Sequence, residues 1–510
     1  MKSGQHRCSV AALAIVAGLL VPGLAWSQTA TQPATNPVKP PATAPVTQQP
    51  GQKPGQPAGK RPPKPSGGSI PATPATMPGG KSAAPTPKLG ELIVRERERE
   101  MVLKVTIRVH SDTPAQTTTH TDGKKSVRMP KISPFSYSTL GVVFPMIGET
   151  ASSTPEASRT AQPGEMPRGV RGVLTLDDVV VDDQVTVLAN YPGGTDLGRW
   201  DAGKNGATAE ARQMQLEVTM PVTLFRTAFD EASAMKIGWP AAWPDVAQST
   251  FIPQMFVDKG FDDKGNVGNF DVVPLENAFT IWKKDWGVTD LRRVPPVMLA
   301  KMIAAKVWEV VQPSGDGLTL RDRTGELSGI KLQAPAETLV RGKGSEHDLT
   351  VLLASLYRMA GLPTRTIIGY DVGVDDDKFL GKGTKNNRLR SWVEFYLYDE
   401  AANTYNWIPV DIVHLRRTSS RPQKVERPWK YFGSNDELDR VVPFAFQFHP
   451  PTDVVAYGSP GFWGWFVTPQ PPVAAEQSLM FSASAASKRL SDEKDKDNDD
   501  DPKRPAKRRN

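Results

Sequence analysis

The chain has 510 residues, of which 38% are hydrophobic and 23% charged, and it contains 47 prolines, 42 glycines and one cysteine. A sizeable core is possible, but not over the whole length, because residues 28–90 hold 16 of the prolines, seven Lys/Arg and no acid. The formal net charge of the whole chain is +7. Removing the nine positive charges of Lys2, Arg7 and residues 28–90 leaves about −2 for residues 91–490, because the acids and bases of the last twenty residues balance. The folded part is therefore not basic, and we expect no nucleic-acid binding.

The first 27 residues have the pattern of a secretory signal peptide. Lys2 and Arg7 precede an apolar run at residues 10–21, and Ala25-Trp26-Ser27 provides a small-x-small cleavage site. An uncleaved membrane anchor is the alternative, but the run is shorter than the roughly 20 residues that a spanning helix needs. We therefore predict export to the periplasm or the extracellular space, with no transmembrane segment in the mature chain.

The only cysteine and the proline-rich segment both precede the predicted folded part. Cys8 would leave with the signal, so the mature protein would have no disulfide, no thiolate nucleophile and no cysteine-ligated metal. Residues 28–90 contain almost no large apolar side chain, which predicts a disordered linker. We expect this linker to be a semi-rigid spacer, and its spaced positive charges also permit contact with anionic polymers of the envelope.

Residues 91–230 are predicted to form a β-rich domain. Short stretches in which apolar and polar residues alternate recur between Gly, Pro and Asp breaks. The clearest of them are residues 102–109, 170–176, 185–188 and 214–220. Residues 231–290 are rich in aromatic residues and prolines but contain no recognisable motif, so we assign them as a connecting segment.

Residues 291–450 are predicted to form an α+β domain. Apolar residues at helical spacing between Pro295 and Pro313 predict one helix, and residues 348–359 predict a second that ends before Gly361-Leu-Pro363. Three aromatic and β-branched segments then predict strands that follow one another along the chain. These strands are residues 366–370, 391–397 and 406–410.

The end of the chain has two parts with different compositions. Residues 451–487 form an extension whose large aromatic rings either pack in the core or form an exposed patch for a protein, peptide or glycan partner. Residues 488–510 are rich first in acids and then in bases, with Leu490 as the one large apolar residue, which predicts a disordered tail.

A series of short motifs runs through the α+β domain. They are Gly344-Ser345-Glu346-His347-Asp348 at a helix start, Gly361-Leu-Pro-Thr-Arg365, Gly369-Tyr370, Ser391-Trp392-Val-Glu394, and Trp407-Ile-Pro-Val-Asp411. With these motifs in this order, residues 294–415 resemble the transglutaminase-like superfamily, relatives of the papain-type cysteine proteases. The resemblance implies a transglutaminase-like (papain-like) fold, with a central helix packed on an antiparallel sheet.

The resemblance also implies the positions of a catalytic triad. In the family, a Cys begins the central helix, a His lies on the next long strand just before the Trp, and an Asp lies on the strand after. These positions are occupied here by Glu346, Arg390 and Asp411. Because carboxylate is a poor replacement for a thiolate in acyl transfer and a guanidinium cannot shuttle a proton at physiological pH, we expect no activity. Glu346 and Arg390 are predicted to form an ion pair, with Asp411 taking other guanidinium donors.

Two other chemistries are open at the same helix start. Ser345 is one residue from the Cys position, and with His347 it would give an enzyme with a serine nucleophile. Glu346 with Asp348 would give a carboxylate pair for glycoside hydrolysis, but a nearby Arg would keep the carboxylate ionised and unfit as an acid. The further residues expected to line the cleft are Asp348, Trp392 and Trp407.

No metal or cofactor is expected, because the histidines lack His-x-x-x-His spacing and the acidic stretches do not follow the calcium-loop pattern. The function expected first is a binding or scaffolding module of the cell envelope, whose cleft holds a segment of an unidentified protein or peptide. The alternative is an acyl-transferring or amide- or peptide-hydrolysing enzyme with a non-cysteine nucleophile. A contact between Glu346 and Arg390 would favour the binding or scaffolding module. Ser345 within hydrogen-bond reach of a histidine would favour the enzyme.

Overall fold

A computed structural model describes residues 86–486, apart from gaps of one to six residues and three longer ones at 156–168, 373–388 and 449–462. The chain divides into two compact units, residues 1–80 and 81–510, and all described residues belong to the second. The predictions for the signal peptide, for the charged tail and for nearly all of the linker therefore lie outside the described residues.

Within the described residues up to 229, regular secondary structure is entirely β. The strands are β1 Lys88–Leu89, β2 Ile93–Thr113, β3 Gln116–Thr119, β4 Lys125–Arg128, β5 Lys131–Ile132, β6 Phe135–Tyr137, β7 Thr139–Met146, β8 Ser153–Pro155, β9 Arg171–Leu176, β10 Val179–Val180, β11 Gln184–Tyr191, β12 Thr195–Gly203, β13 Ala209–Ala211 and β14 Gln213–Phe229.

From residue 230 onwards, helices and strands alternate, so the described chain as a whole is of mixed helix and sheet. The α-helices are α1 Glu231–Ala234, α2 Asp245–Gln248, α3 Val273–Asp285, α4 Pro296–Val310, α5 Pro335–Arg341, α6 Glu346–Met359 and α7 Ile412–Arg417, and the 3-10 helices are Ser249–Phe251, Leu291–Arg293 and Leu438–Arg440. The strands are β15 Lys259–Phe261, β16 Val267–Asn269, β17 Gln312–Pro313, β18 Thr319–Arg321, β19 Leu327–Ile330, β20 Lys343–Gly344, β21 Thr364–Asp371, β22 Leu389–Asp399, β23 Thr404–Val410, β24 Val441–Ala445, β25 Gly464–Thr468 and β26 Ala475–Ala485.

Two sheets carry most of the β structure before residue 230. The long strands β2 and β14 pair antiparallel in a nine-stranded sheet. Seven of its strands have the order β10-β9-β14-β2-β26-β19-β18, and β5 and β8 pair outside this path with β2 and β14. A four-stranded sheet has the order β11-β12-β7-β25. The buried Trp200 of β12 lies against β9, where a Cβ on Gly172 would stand 2.1 Å from the indole nitrogen. Glycine is therefore required for this close contact between the two sheets.

Strands after residue 463 complete both of these sheets. β26 pairs with β2 along eleven residues, and β25 pairs with β7. Trp463, Trp465 and Phe481 are buried. Of the two alternatives for the aromatic extension, core packing is the one that its described residues adopt.

The third large sheet carries the motifs and has the order β1-β23-β22-β21-β24, with β21, β22 and β23 mutually antiparallel. α6 packs on β21 and β22, and α4 and α5 pack against α6. α6 begins two residues before the predicted start, at Glu346, and the chain leaves it through Gly361, whose φ of +86° suits glycine.

The predicted domain boundaries at residues 230 and 291 stay predictions. Strands from both sides of them share sheets, since β1 pairs with β23 and β26 separates β2 from β19. No helix of the described part has the length and apolar content to cross a membrane.

Candidate functional site

The start of α6 is fixed by a capping box between Ser345 and Asp348. The Ser345 hydroxyl accepts a hydrogen bond from the Asp348 backbone N–H at 3.2 Å, and Asp348 Oδ2 accepts one from the Ser345 N–H at 2.8 Å. Asp348 also accepts hydrogen bonds from the backbone and side-chain amides of Gln333, both at 2.8 Å. It is fully buried. Asp348 therefore orders the helix start and does not offer a carboxylate to a cleft.

The histidine beside Ser345 faces the core. His347 Nδ1 lies 2.9 Å from Ser391 Oγ, and the ring packs edge-on against Phe448. Burial lowers the pKa of His347 to about 4, so the imidazole is neutral near pH 7. The Ser345 hydroxyl contacts no imidazole among the described residues, so the arrangement that a serine nucleophile needs is not formed there.

Glu346, the first residue of α6, is partly exposed, and in the part of the chain that the structure describes its carboxylate forms no hydrogen bond or ion pair. Burial and the negative charge of Asp411 raise its pKa to about 7, against opposing effects of His414, Arg390 and Arg417. This carboxyl can therefore change its charge near neutral pH.

Arg390 lies on β22 and is 2% exposed. Its Nε donates to Asp411 Oδ2 at 2.7 Å, Nη2 lies 2.7 Å from the same oxygen, and Nη1 donates to Glu437 Oε2 at 3.0 Å. Asp371 Oδ2 is 3.9 Å from Nη1. The predicted ion pair between Glu346 and Arg390 is thus not formed within 4.0 Å. The reason is that Asp411, which follows the neighbouring strand β23, and Glu437 take the guanidinium donors.

Asp411 connects this arginine to a histidine. It caps α7, where its Oδ1 accepts the backbone N–H of His414 at 3.0 Å, and His414 Nδ1 lies 3.0 Å from Oδ2. Arg417, which can only donate, places Nη1 2.9 Å from His414 Nε2. Nε2 is therefore the acceptor and Nδ1–H the donor to Asp411. Although burial alone would raise it, Arg390 and His414 hold the pKa of Asp411 well below its usual range.

Two residues of this cluster were not singled out by sequence reasoning. His414 had a local signal, because it is the third residue after Asp411 at a helix start. The backbone N–H at this position typically donates to the side chain of the N-cap residue. Glu437, which also accepts a hydrogen bond from the Tyr431 hydroxyl at 2.7 Å, comes from a later connection and had no local signal. We call Glu346, Arg390, Asp411, His414 and Glu437 the helix-start cluster.

The two predicted cleft tryptophans lie in the core. Trp392 is 1% exposed and packs with Ile367 and Phe446. Trp407 is 8% exposed, and the Arg365 guanidinium lies 3.9 Å from its ring centroid. Both side chains are thus buried, and Trp407 also borders a small cavity lined by Tyr405 and Glu149.

The chemistry available to the helix-start cluster differs from that of a thiol site. Arg390 is held by two carboxylates and stays protonated, since Asp411 and Glu437 raise its pKa despite burial. Among the described residues there is no group of three or more His, Cys, Asp or Glu that could hold a metal ion. The cluster can present charge and hydrogen-bond acceptors, and Glu346 is its carboxylate without a partner in the described residues.

Residues 323–412 match the family model described as the transglutaminase-like superfamily, which confirms the resemblance for this part of the chain. Two similar crystal structures, each 10% identical in sequence, are a candidate cysteine protease from Cytophaga hutchinsonii and a candidate protease from Parabacteroides distasonis. The first match covers 78% of this chain and 93% of that one with a TM-score of 0.42, and the second covers 62% of each with a TM-score of 0.18. No curated protein matches the chain.

Proposed function

We propose that the protein is an exported, catalytically inactive transglutaminase-like protein that serves as a binding or scaffolding module of the cell envelope. The observation that carries this proposal is Arg390. It stands where the family has its general base, and it is buried in contact with Asp411 and Glu437. A guanidinium so held does not accept a proton from a nucleophile.

The position of the nucleophile supports the same proposal. Glu346 begins α6 in place of the Cys, and its surroundings disfavour a negative charge, because they raise the carboxyl pKa to about 7. A catalytic thiol at a helix start requires the opposite effect, since its pKa must be lowered for the thiolate to form. Glu346 and Arg390 thus lack the groups that acyl transfer requires. They leave a polar, partly exposed residue at the start of α6.

The ligand that suits this position is a peptide segment that brings N–H donors. An ionised Glu346 only accepts hydrogen bonds, and it has no donor among the described residues. A backbone amide or a side-chain ammonium of the ligand would donate a hydrogen bond to this carboxylate. The positive charge of an ammonium would also lower the pKa of the Glu346 carboxyl. This ligand is an unidentified protein or peptide of the envelope.

The test compares the wild type with Glu346→Gln and with the double variant Glu346→Cys, Arg390→His. Each is assayed for amine incorporation into a glutamine-bearing protein and for peptide hydrolysis. We expect the wild type and Glu346→Gln to be equally silent and the double variant to gain activity. If the wild type turned over a substrate and Glu346→Gln abolished that turnover, the proposal of an inactive site would be refuted.

A second function is favoured by one specific observation. The pKa of Glu346 is about 7 while that of Asp411 lies far lower, and such divergence between neighbouring carboxyls is typical of acid–base sites. This enzyme would hydrolyse an amide or ester with Glu346 as general base activating water, without a cysteine nucleophile. Its sign would be a hydrolysis rate that rises through pH 7 and disappears in Glu346→Gln.

A further inference from the structure

A concave site lies on the described part of the chain, and none of its lining residues belongs to the helix-start cluster. It is a groove of about 910 Å³, within the range of about 300–1,000 Å³ typical of ligand sites. Three segments form it: the entry to β2, the chain through and after α1, and the turn between β22 and β23. The lining includes Glu91, Asp230, Trp239, Tyr398, Glu400 and Asn406. We call it the Trp239 groove.

The Trp239 groove is strongly acidic. Its lining carries the carboxylates of Glu91, Asp230, Asp399 and Glu400 against the single ammonium of Lys236. Backbone amides hold three of the carboxylates: Ser233 donates to Asp230, Ala401 to Asp399 and Ala241 to Glu400, each at 3.0 Å. Each carboxylate can accept several hydrogen bonds, so acceptor capacity remains for a ligand.

A buried acceptor in the same groove has no partner. Asn406 is 2% exposed, and its Oδ1 makes no hydrogen bond among the described residues. An unsatisfied buried oxygen costs about 1–3 kcal/mol, so a ligand whose donor reaches it when the amide turns toward the groove would recover free energy. This observation is independent of the carboxylates, and it selects a ligand with N–H or O–H donors.

Two aromatic rings complete the lining. The indole N–H of Trp239 donates to the Val294 carbonyl at 2.7 Å, and the Tyr398 hydroxyl donates to Asn403 Oδ1 at 2.9 Å, so both rings are held in place. The Arg292 guanidinium already lies 5.5 Å from the Trp239 ring centroid. The ring therefore already carries one cation, and the stem of a ligand's long basic side chain can pack only against the rest of its partly exposed surface.

We propose that the Trp239 groove binds an extended, cationic peptide segment of a partner protein, with Lys or Arg side chains directed at its carboxylates and a donor directed at Asn406. Charge complementarity argues for this occupant, since Lys and Arg carry donors and no acceptor. The volume accommodates several residues of an extended chain. This inference goes beyond the proposed function and does not depend on the helix-start cluster.

The test measures fluorescence anisotropy of a labelled ten-residue peptide of alternating Lys and Pro with the full chain at 50 mM NaCl, beside a matched Glu-Pro peptide. We expect binding of the Lys peptide alone, weakened at 300 mM NaCl. Glu91→Gln with Glu400→Gln should weaken binding about fivefold. The control, Glu98→Gln with Glu210→Gln, removes two exposed carboxylates elsewhere and should leave affinity within twofold.

Asn406 provides a test that separates binding from folding. Asn406→Leu should weaken binding without lowering the melting temperature, because it removes an unsatisfied acceptor, and Asn406→Asp should tighten binding. Equal binding of the two peptides, equal loss in both double variants, or unchanged affinity in both Asn406 variants would overturn the proposal. Tighter binding after deletion of residues 28–85 would overturn the partner assignment in favour of the chain's own basic segment.

Discussion

The elevated pKa of Glu346 predicts the direction in which the stability of the folded protein changes with pH. A carboxyl whose pKa is raised from 4.5 to about 7 in the folded state is neutral in both states at pH 4 and costs nothing. Between these two values the unfolded chain releases its proton first, so stability is lost as the pH rises, and the full cost is present above pH 7. At 1.36 kcal/mol per pKa unit the ceiling is about 3 kcal/mol, and solvent screening of this partly exposed group reduces it to about 1–2 kcal/mol.

Glu346→Gln should therefore be more stable than the wild type by about 1–2 kcal/mol at pH 8 and equal to it at pH 4. Urea unfolding followed by tryptophan fluorescence at both pH values measures the difference. Glu337→Gln, which changes an exposed glutamate on α5, is the matched control and should show no comparable pH-dependent gain. A stability difference that is the same at pH 4 and pH 8 would refute the reasoning.

Three further predictions concern buried charges and the helix cap, all measured as urea midpoints. Arg390→Met should cost about 3–5 kcal/mol at pH 7 because Asp411 is left buried and charged, and adding Asp411→Asn should recover most of it. Lys301→Met should cost a similar amount, since Lys301 is fully buried against Glu231, and Glu231→Gln should compensate. Asp348→Ala should cost at least about 2 kcal/mol through the lost cap and buried hydrogen bonds, whereas a loss below about 0.5 kcal/mol would contradict the capping role.

Features with a local cause could be predicted from the sequence. Proline sets the start of α4 at Pro296, and the apolar face of α6 identified that helix to within two residues. Glu346 begins α6, Arg390 lies on β22 and Asp411 follows β23, and the secondary structure at each of these positions is indicated by its own neighbours in sequence. The match of residues 323–412 to the family model has the same origin.

Features that depend on distant pairing could not be predicted. The edge of β2 is occupied by β26, which lies more than 360 residues later in the chain, and no local pattern determines that choice. The partners of Arg390 are a similar case. By charge alone, Glu346 could have paired with Arg390. In the fold, the end of the adjacent strand β23 brings Asp411 to the guanidinium, and the connection before β24 brings Glu437. Opposite charges predict that an arginine will be paired, whereas the backbone decides with which carboxylate.

Under the proposed function, in which Arg390 stands at the family's His position, Asp411 has a different role. In the family the Asp orients an imidazole on the neighbouring strand, whereas here Oδ2 receives Arg390 and Oδ1 receives the backbone N–H of His414. An oriented imidazole is thus still present, but it comes from α7, and its Nε2 accepts from Arg417. A proton relay would need this nitrogen to reach the Glu346 carboxylate, and that carboxylate makes no hydrogen bond among the described residues. The cluster therefore holds charges in place, and a donor from a ligand is what its free carboxylate lacks.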